Sequence, residues 1–240
     1  MSKRTIYVPR GRAFEYSPLA CDLYKGCAHG CKYCYGNKGA NNAFENDVAN
    51  LKPIPNILEK IEADAKKLEG DKREILFSFS SDPFFSAEAT SVTMEALKIC
   101  EKYNLNAQVL TKAGCKASVC FDMLERNNWR FGSTIIFGND NLREEWEPNA
   151  APILDRVAAV MEAHTRGIYT WVSIEPVIDP DSALKLMEML KGYVSLWKVG
   201  KLNHMPEIEA TIDWKDFIRK SMVTLKGERV NWKKDLIACI

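Results

Sequence analysis

Three cysteines close together near the amino terminus constrain this chain more than any other feature. Cys27, Cys31 and Cys34 stand in the run Gly-Cys-Ala-His-Gly-Cys-Lys-Tyr-Cys-Tyr, so three thiols fall within eight positions. Thiols this close in sequence can converge on one metal centre. An iron–sulfur cluster usually takes four protein thiolates. A local set of three therefore favours a cluster that keeps one iron open for a ligand that is not protein.

Zinc and disulfide bonds are the alternatives for these cysteines. A structural zinc site commonly joins a C-x2-C pair to a second Cys or His pair. Cys31 and Cys34 form one such pair, with Cys27 or His29 nearby, but the chain has no second C-x2-C pair. A disulfide framework is disfavoured because no secretory signal precedes the run and the chain is long enough to fold without bridges. The other thiols are scattered: Cys21, Cys100, Cys115, Cys120 and Cys239.

Composition places the chain among ordinary globular proteins. Its 240 residues fit a single domain, with a core expected over about residues 14–204 and a C-terminal extension over 205–240. Hydrophobic residues make up 46% of the chain and charged residues 27%, as in water-soluble proteins. There is no run of about 18 apolar residues to span a membrane, and the first residues do not resemble a signal peptide. Eight cysteines without a signal favour a reducing cytoplasm.

Charge is unevenly distributed although the net charge is only +1. Residues 1–40 carry seven Lys or Arg against two acidic residues, and residues 191–240 carry ten against six. These basic ends could attract a phosphate-bearing partner, or they could be solvated surface. No basic stripe interleaved with aromatic residues is present. Charge alone therefore does not establish nucleic-acid binding.

Helical and strand-like segments alternate along the chain from residue 53. Apolar spacing predicts helices over residues 53–68, 86–103, 118–126, 149–164, 180–190 and about 213–222. Short apolar runs predict strands over 14–20, 74–80, 107–111, 129–137, 168–174 and 194–199. Such alternation is typical of an α/β fold with a parallel sheet and helices outside it. Six units are too few for the closed eight-fold barrel. The Asn-rich stretch 36–43 is predicted to be a flexible flap.

Polar residues follow most of the predicted strands. Sites in parallel sheets collect where strands end and loops begin, so we expect these residues to line one cavity. Any single tip could instead form a turn or cap a helix. The tips are Ser80, Ser81 and Asp82; Thr111 and Lys112; Ser133 and Thr134; Ser173 and Glu175; and Lys198 to Asn203.

The cysteine run, with Tyr33 before its last thiol, resembles the C-x3-C-x2-C signature of the radical S-adenosylmethionine (radical SAM) superfamily. The strings Ser-Asp-Pro-Phe, Leu-Thr-Lys-Ala, Glu-Pro-Asn-Ala-Ala-Pro and Ile-Glu-Pro-Val-Ile resemble its spore photoproduct lyase-like, or "DNA repair photolyase", subgroup. The similarity extends over about residues 20–204. It implies an open six-unit (β/α)6 partial TIM barrel that binds a [4Fe–4S] cluster and SAM.

The resemblance also implies residue roles. Cys27, Cys31 and Cys34 would bind the cluster, and Tyr33 would lie against the SAM adenine. The superfamily recognises the SAM amino group at the second strand tip, where this chain lacks the familiar Gly-Gly-Glu. Ser80, Ser81 or Asp82 would contact that amino group. Ser133 would contact the ribose, and Arg156 the carboxylate. SAM or the substrate would contact Glu175, Lys112 and Asn203.

The implied activity is that of a radical enzyme. An electron donor such as flavodoxin or ferredoxin would reduce the cluster, and SAM would be cleaved to a 5′-deoxyadenosyl radical that abstracts hydrogen from a substrate. The substrate is left open among a DNA lesion, a nucleotide, a small molecule and a peptide. Spore photoproduct lyase uses a protein thiol as hydrogen donor, and Cys115, at a strand tip, is the candidate here. The alternative is a non-catalytic barrel, stabilised by zinc or a cluster, that binds nucleic acid or a protein.

Overall fold

One sheet of eight strands organises the chain. The computed structural model describes residues 4–37, 51–77 and 79–240. In this part of the chain the strands follow one another in space as they do in sequence. β1 is antiparallel to β2, and every other neighbouring pair is parallel. The strands are β1 (Ile6–Tyr7), β2 (Leu19–Cys21), β3 (Glu74–Phe77), β4 (Asn106–Thr111), β5 (Arg130–Thr134), β6 (Tyr169–Val177), β7 (Leu196–Lys201) and β8 (Val230–Trp232).

Helices connect the parallel strands. The α-helices of the described residues are α1 (Ile57–Lys67), α2 (Ala87–Lys102), α3 (Phe121–Arg126), α4 (Asp140–Trp146), α5 (Ile153–Thr165), α6 (Pro180–Leu190), α7 (Pro206–Glu209), α8 (Trp214–Thr224) and α9 (Lys234–Ile237). Short 3-10 helices cover Gly11–Glu15, Tyr35–Asn37 and Gly114–Cys120. None of these helices has the length and apolar character needed to cross a membrane.

Capping residues set the helix boundaries. The Ser86 hydroxyl accepts the N–H of Ala89 (3.0 Å) at the start of α2, as an N-cap does. The Asp179 carboxylate accepts the N–H of Ser182 (2.6 Å), and Pro180 follows it in the first turn of α6. The predicted range for α6 matches the structure. The predicted helix from residue 149 instead begins at Ile153, because Pro152 disfavours helical backbone at the residue before it.

The sheet is open, which confirms the predicted α/β partial barrel. β1 and β8 are its two edges and do not pair with each other. The six predicted strands correspond to β2–β7, although the first lies at Leu19–Cys21 rather than over 14–20. β1 and β8 were not predicted, since strands of two and three residues carry no readable periodicity. β8 lies within 205–240, so this segment adds a strand to the sheet beside β7. Residues 38–43 of the predicted flap lie outside the described residues.

The segment between β1 and β2 bridges the open side of the sheet. The Ser17 hydroxyl donates to the Glu74 carbonyl on β3 (2.8 Å). The Tyr16 carbonyl accepts from Lys198 Nζ on β7 (2.7 Å), and the Glu15 carbonyl accepts from the Asn231 side chain on β8 (3.4 Å). These contacts join strands from both halves of the sheet. The connection, rather than strand pairing, therefore covers the interior.

A glycine on β5 makes room for a buried tryptophan on β6. Trp171 on β6 is 1% exposed, and its indole ring lies where a side chain at Gly132 would project. The ammonium of Lys198 lies 4.0 Å from the centroid of that ring, a cation–π contact. Gly132 thus permits the packing of Trp171 and Lys198 beneath the strand tips.

Gly132→Ala should destabilise the fold because the added methyl group overlaps the Trp171 ring. We expect the free energy of unfolding to fall by about 1–3 kcal/mol, measured by chemical denaturation. Trp171→Phe in the Gly132→Ala background should recover part of this loss, since the smaller ring leaves space. A single variant as stable as the wild type would contradict this packing.

Candidate active site at the carboxyl ends of the strands

The strand tips and the cysteine loop enclose one cavity of about 790 Å³. The cysteine loop is residues 26–34, between β2 and α1. Because parallel strands end at the same edge of the sheet, their tips meet there. The tip residues that line the cavity are Ser80, Ser81, Asp82, Thr111, Lys112, Thr134, Ser173, Glu175, Lys201 and Asn203.

Three thiols face this cavity. Cys27, Cys31 and Cys34 line it, and none forms a disulfide. Burial raises the pKa of Cys27 to about 12 and that of Cys31 to about 11, with Lys112 opposing the rise in both. In the described part of the chain, no three His, Cys, Asp or Glu side chains are drawn together as a preformed metal site. The three thiols thus line the same cavity, but their side chains do not form a preformed metal site.

Backbone contacts hold the cysteine loop against the sheet. The N–H of Gly26 donates to the Ser80 carbonyl (3.0 Å), and the N–H of Cys34 donates to the Cys31 carbonyl (3.0 Å). Gly26 and Gly30 have φ of 125° and 64°, a region that glycine adopts readily. Glycine at these two positions lets the loop turn back over the cavity.

Both ring nitrogens of His29, the donor nearest the thiols in sequence, lie close to protein oxygens. Its Nδ1 lies 3.1 Å from the Asn149 carbonyl, and its Nε2 lies 2.9 Å from Asp82 Oδ2. The side chain is 6% exposed. His29 therefore ties the loop to the sheet and is not free to act as a fourth metal ligand.

Asp82 joins three parts of the site. Its carboxylate accepts from the Thr111 hydroxyl (2.8 Å) and from the N–H groups of Lys112 (2.6 Å) and Phe84 (2.8 Å), besides the contact with His29. Burial would raise the pKa of Asp82, but His29 and these backbone donors outweigh it and hold the pKa at about 2. With its oxygens engaged, Asp82 acts as a clamp between the β3 tip, the β4 tip and the cysteine loop.

A buried carboxylate lies behind Tyr33 and Lys112. Glu147, in the loop between α4 and α5, is 0% exposed. It accepts from the Tyr33 hydroxyl and from Arg156 Nη1 (2.6 Å), and Lys112 Nζ lies 3.9 Å from it. The Lys112 ammonium also lies 5.6 Å from the centroid of the Tyr33 ring. Burial would lower the pKa of Lys112, but Cys31 and Glu147 outweigh it and raise the pKa.

Three predicted site residues, Arg156, Ser133 and Cys115, are not among those that line the cavity. Arg156 is 0% exposed and donates to Glu147 and to the Ala151 and Thr134 carbonyls. Ser133 is buried, and its hydroxyl donates to the Thr111 carbonyl (3.3 Å). Its neighbour Thr134 faces the cavity instead, since side chains alternate along a strand.

Cys115, the predicted hydrogen donor, lies on the far side of the β4 tip. Its N–H donates to the Asp155 carboxylate (3.2 Å), and its thiol donates to the Asp155 carbonyl (3.4 Å). Burial raises the pKa of this thiol to about 11, and Asp155 adds to the rise. The structure thus packs Cys115 against α5.

Glu175 forms the wall opposite the cysteine loop. Its carboxylate accepts from the Tyr16 hydroxyl and lies 3.5 Å from Arg12 Nη2 and 3.8 Å from Lys233 Nζ. Burial raises the pKa of Glu175, and Lys233 opposes the rise. A Cβ at Gly200 would meet the Glu175 side chain at 2.6 Å, so glycine there leaves space for the carboxylate.

The predicted residues Asn203 and Ser80 also line the cavity and have defined partners. The Asn203 amide donates to Asp235 Oδ2 (2.9 Å) and to the Lys201 carbonyl (2.9 Å). The Ser80 hydroxyl donates to the Tyr24 carbonyl (2.8 Å). Phe79, just before Ser80, has φ of 109° and also lines the cavity. Backbone strain of this kind concentrates at functional sites.

Sequence reasoning missed two contributors to the site. Glu147 had no role assigned, although its Glu-Pro-Asn-Ala-Ala-Pro string was part of the family resemblance. The sequence pattern places Tyr16 in the first predicted strand. In the structure it lies before β2, and its hydroxyl contacts Glu175 and Ser173. A buried acid in a loop and a tyrosine in a short connection leave no periodic signal that could have identified them.

Comparison with known proteins identifies the fold. No protein-family profile matches the chain. A spore photoproduct lyase with a cysteine-to-serine substitution superposes with a TM-score of 0.69 at 14% identity, covering 97% of this chain and 80% of that one. Spore photoproduct lyase with bound AdoMet and dinucleoside spore photoproduct gives 0.63 at 15% identity, covering 96% and 66%. The chain has the radical SAM fold.

Two further relatives agree with this assignment. SuiB of Streptococcus suis bound to S-adenosylmethionine gives a TM-score of 0.65 at 10% identity, covering 92% of this chain and 51% of that one. In sequence, a radical SAM Nalpha-GlyT isomerase of Pseudomonas phage M6 is 24% identical over 177 residues, 70% of this chain. The chain spans 35% of the length of that isomerase. The resemblance to radical SAM proteins that the sequence indicated is confirmed.

Lys198 provides a pH test of the interior beneath the cavity. Burial, reinforced by the charge of Lys233, lowers the pKa of Lys198 to about 7, whereas an unfolded lysine titrates near ~10.4. Between these values the unfolded chain binds more protons, so the free energy of unfolding should rise with pH, by roughly 5 kcal/mol at most.

Lys198→Met should remove this rise between about pH 7 and pH 10, measured by urea denaturation across that range. Lys185→Met is the control, because it removes an exposed lysine of α6. An unchanged pH dependence in Lys198→Met would show that Lys198 titrates normally.

Proposed function

We propose that this protein is a radical SAM enzyme whose cysteine loop holds a [4Fe–4S] cluster through Cys27, Cys31 and Cys34. One observation carries the proposal: three unbridged thiols line a single cavity, and both ring nitrogens of the nearby His29 already lie within 3.1 Å of protein oxygens. Three protein donors suit a cluster with an open iron, whereas a structural zinc site needs four.

The residues around the thiols fit the cluster and SAM. When bound, these groups supply a one-electron cleavage of SAM that yields a carbon radical able to abstract hydrogen. The chain would hold and orient the reacting groups and limit the access of water. Tyr33 would lie against the adenine, because its hydroxyl is fixed by Glu147 while its ring lines the cavity. Ser80, Ser81 and Thr134 would offer polar contacts from the β3 and β5 tips.

Lys112 is the better partner for the SAM carboxylate than Arg156. Lys112 lines the cavity, whereas the Arg156 guanidinium is enclosed by Glu147 and backbone carbonyls. Arg156 would then support Lys112 indirectly, by sharing the carboxylate of Glu147. By the same argument, Ser133 gives way to Thr134 as the side chain near the ribose.

The substrate would bind against the wall opposite the cysteine loop. Glu175, Asn203 and Arg12 line that wall and could bind polar groups. A nucleotide unit, free or in DNA, is our proposed substrate, supported by the dinucleoside bound to spore photoproduct lyase. A peptide is the alternative, since SuiB has been solved with its precursor peptide. The electron would come from a cytoplasmic donor such as flavodoxin or ferredoxin.

Anaerobically purified protein should be brown and contain about four irons per chain. With dithionite and SAM it should release 5′-deoxyadenosine, measured by chromatography. Cys31→Ala should abolish this release and lower the iron content, because it removes a cluster ligand. Cys239→Ala is the control, since that thiol lies in the C-terminal segment away from the cavity lining. Colourless protein with one zinc per chain would instead support the non-catalytic barrel.

Lys112→Met should weaken SAM binding to the cluster-loaded protein by about tenfold to a hundredfold, the range expected when a charged hydrogen bond is lost. Equilibrium dialysis with labelled SAM measures the dissociation constant directly. Lys116→Met is the control, because Lys116 is exposed in the neighbouring 3-10 helix. Equal affinity in the Lys112→Met variant would rule out Lys112 as the carboxylate partner.

A further inference from the structure

The loop between α4 and α5 is joined to the cysteine loop by several hydrogen bonds. We call residues 146–151 the brace. The N–H of Lys32 donates to the Trp146 carbonyl (2.9 Å), and the Asn149 side chain donates to the Ala28 carbonyl (3.0 Å). His29 contacts Asn149 twice, through its carbonyl (3.3 Å) and its Nδ1 (3.1 Å). The brace thus touches the cysteine loop on either side of Cys31.

The brace is itself anchored to the sheet. The N–H of Ala151 donates to the Lys112 carbonyl at the β4 tip (2.9 Å). Arg143 of α4 is 7% exposed, and its Nη1 donates to the Pro148 carbonyl (3.3 Å). The cysteine loop has no strand or helix of its own between residues 26 and 34. Hydrogen bonds to the brace therefore hold a loop that has no internal helix or strand to fix its backbone.

Glu147 lies at the centre of this support. It is fully buried and makes side-chain contacts with Tyr33 of the cysteine loop, Lys112 of the β4 tip and Arg156 of α5. One anion shared by two cations and a phenol fixes the position of each, because leaving any of these charges buried and unpaired would be costly. Tyr33 and Lys112, which face the cavity, are therefore oriented by a residue that does not line it.

We propose that the brace, with Glu147 as its positioning residue, holds the backbone of the cysteine loop in place over the cavity before any cofactor is present, and sets the orientation of Tyr33 and Lys112 toward SAM. The second part rests on the proposed function, whereas the first concerns the chain alone. Outer contacts of this kind commonly change metal affinity or activity by about 10-fold to 100-fold when they are lost.

Amide hydrogen exchange of the cofactor-free chain tests the first part. Glu147→Gln and Asn149→Ala should speed exchange of the backbone N–H groups of residues 28–34 by at least about tenfold, while peptides from β5 to β7 keep their protection. Asn149→Ala leaves every buried charge paired, so it separates loosening of the loop from loss of the fold. Glu145→Gln is the matched control, since Glu145 is exposed and its carboxylate lies 3.6 Å from the exposed ammonium of Lys32. Unchanged exchange in both variants, or faster exchange throughout the chain, would overturn the proposal.

A double-mutant cycle in the cluster-loaded protein tests the second part. Glu147→Gln and Tyr33→Phe should each lower kcat for reductive SAM cleavage by about 10-fold to 100-fold, and the double variant should lose little more than either single one. Iron content, measured first, should stay near that of the wild type in Tyr33→Phe. Additive losses would show that Glu147 does not act through Tyr33. If the wild type binds no iron and cleaves no SAM, the proposed function is wrong. The hydrogen-exchange experiment then still tests the first part, because it uses the cofactor-free chain.

Discussion

The buried carboxylate of Asp82 is the contact on which the candidate site depends. It accepts hydrogen bonds from the β4 tip and from its own loop, and it pairs with His29 of the cysteine loop. A carboxylate with this many donors stays ionised in a buried setting. Because it joins two strand tips to the thiol-bearing loop, Asp82 fixes where the three thiols lie relative to the sheet.

Buried charges around the cavity occur in compensated groups. Glu147 faces Arg156 and Lys112, Glu175 faces Lys233, and Asp82 accepts hydrogen bonds from backbone N–H groups. Desolvating an ion costs several kcal/mol, and pairing returns only part of it. A core built for stability alone would use apolar residues at such positions. Charged groups that remain buried, with several of their pKa values displaced, are typical of functional sites.

The α/β fold, which local sequence pattern predicts, is confirmed, whereas the direction of a side chain does not follow from local pattern. The strand tips were predicted because apolar runs end at polar residues. The sequence does not show which of Ser133 and Thr134 lines the cavity, since adjacent residues of a strand point to opposite faces. Arg156 lies on the buried face of α5. The sequence does not show whether that face meets the cavity or Glu147, and in the structure Arg156 binds Glu147. Cys115 follows the β4 tip but turns toward Asp155.

Three closely spaced thiols, alternating helices and strands, and polar residues at the strand ends can all be read from the linear sequence. Close spacing and short-range periodicity are local properties, so a linear chain displays them directly. Which polar groups share the cavity, and which lie behind it, depends instead on how distant segments pack together. Glu147 is 114 residues from Tyr33 in sequence, and no local pattern relates the two. Their contact exists because β4, α5 and the cysteine loop pack together.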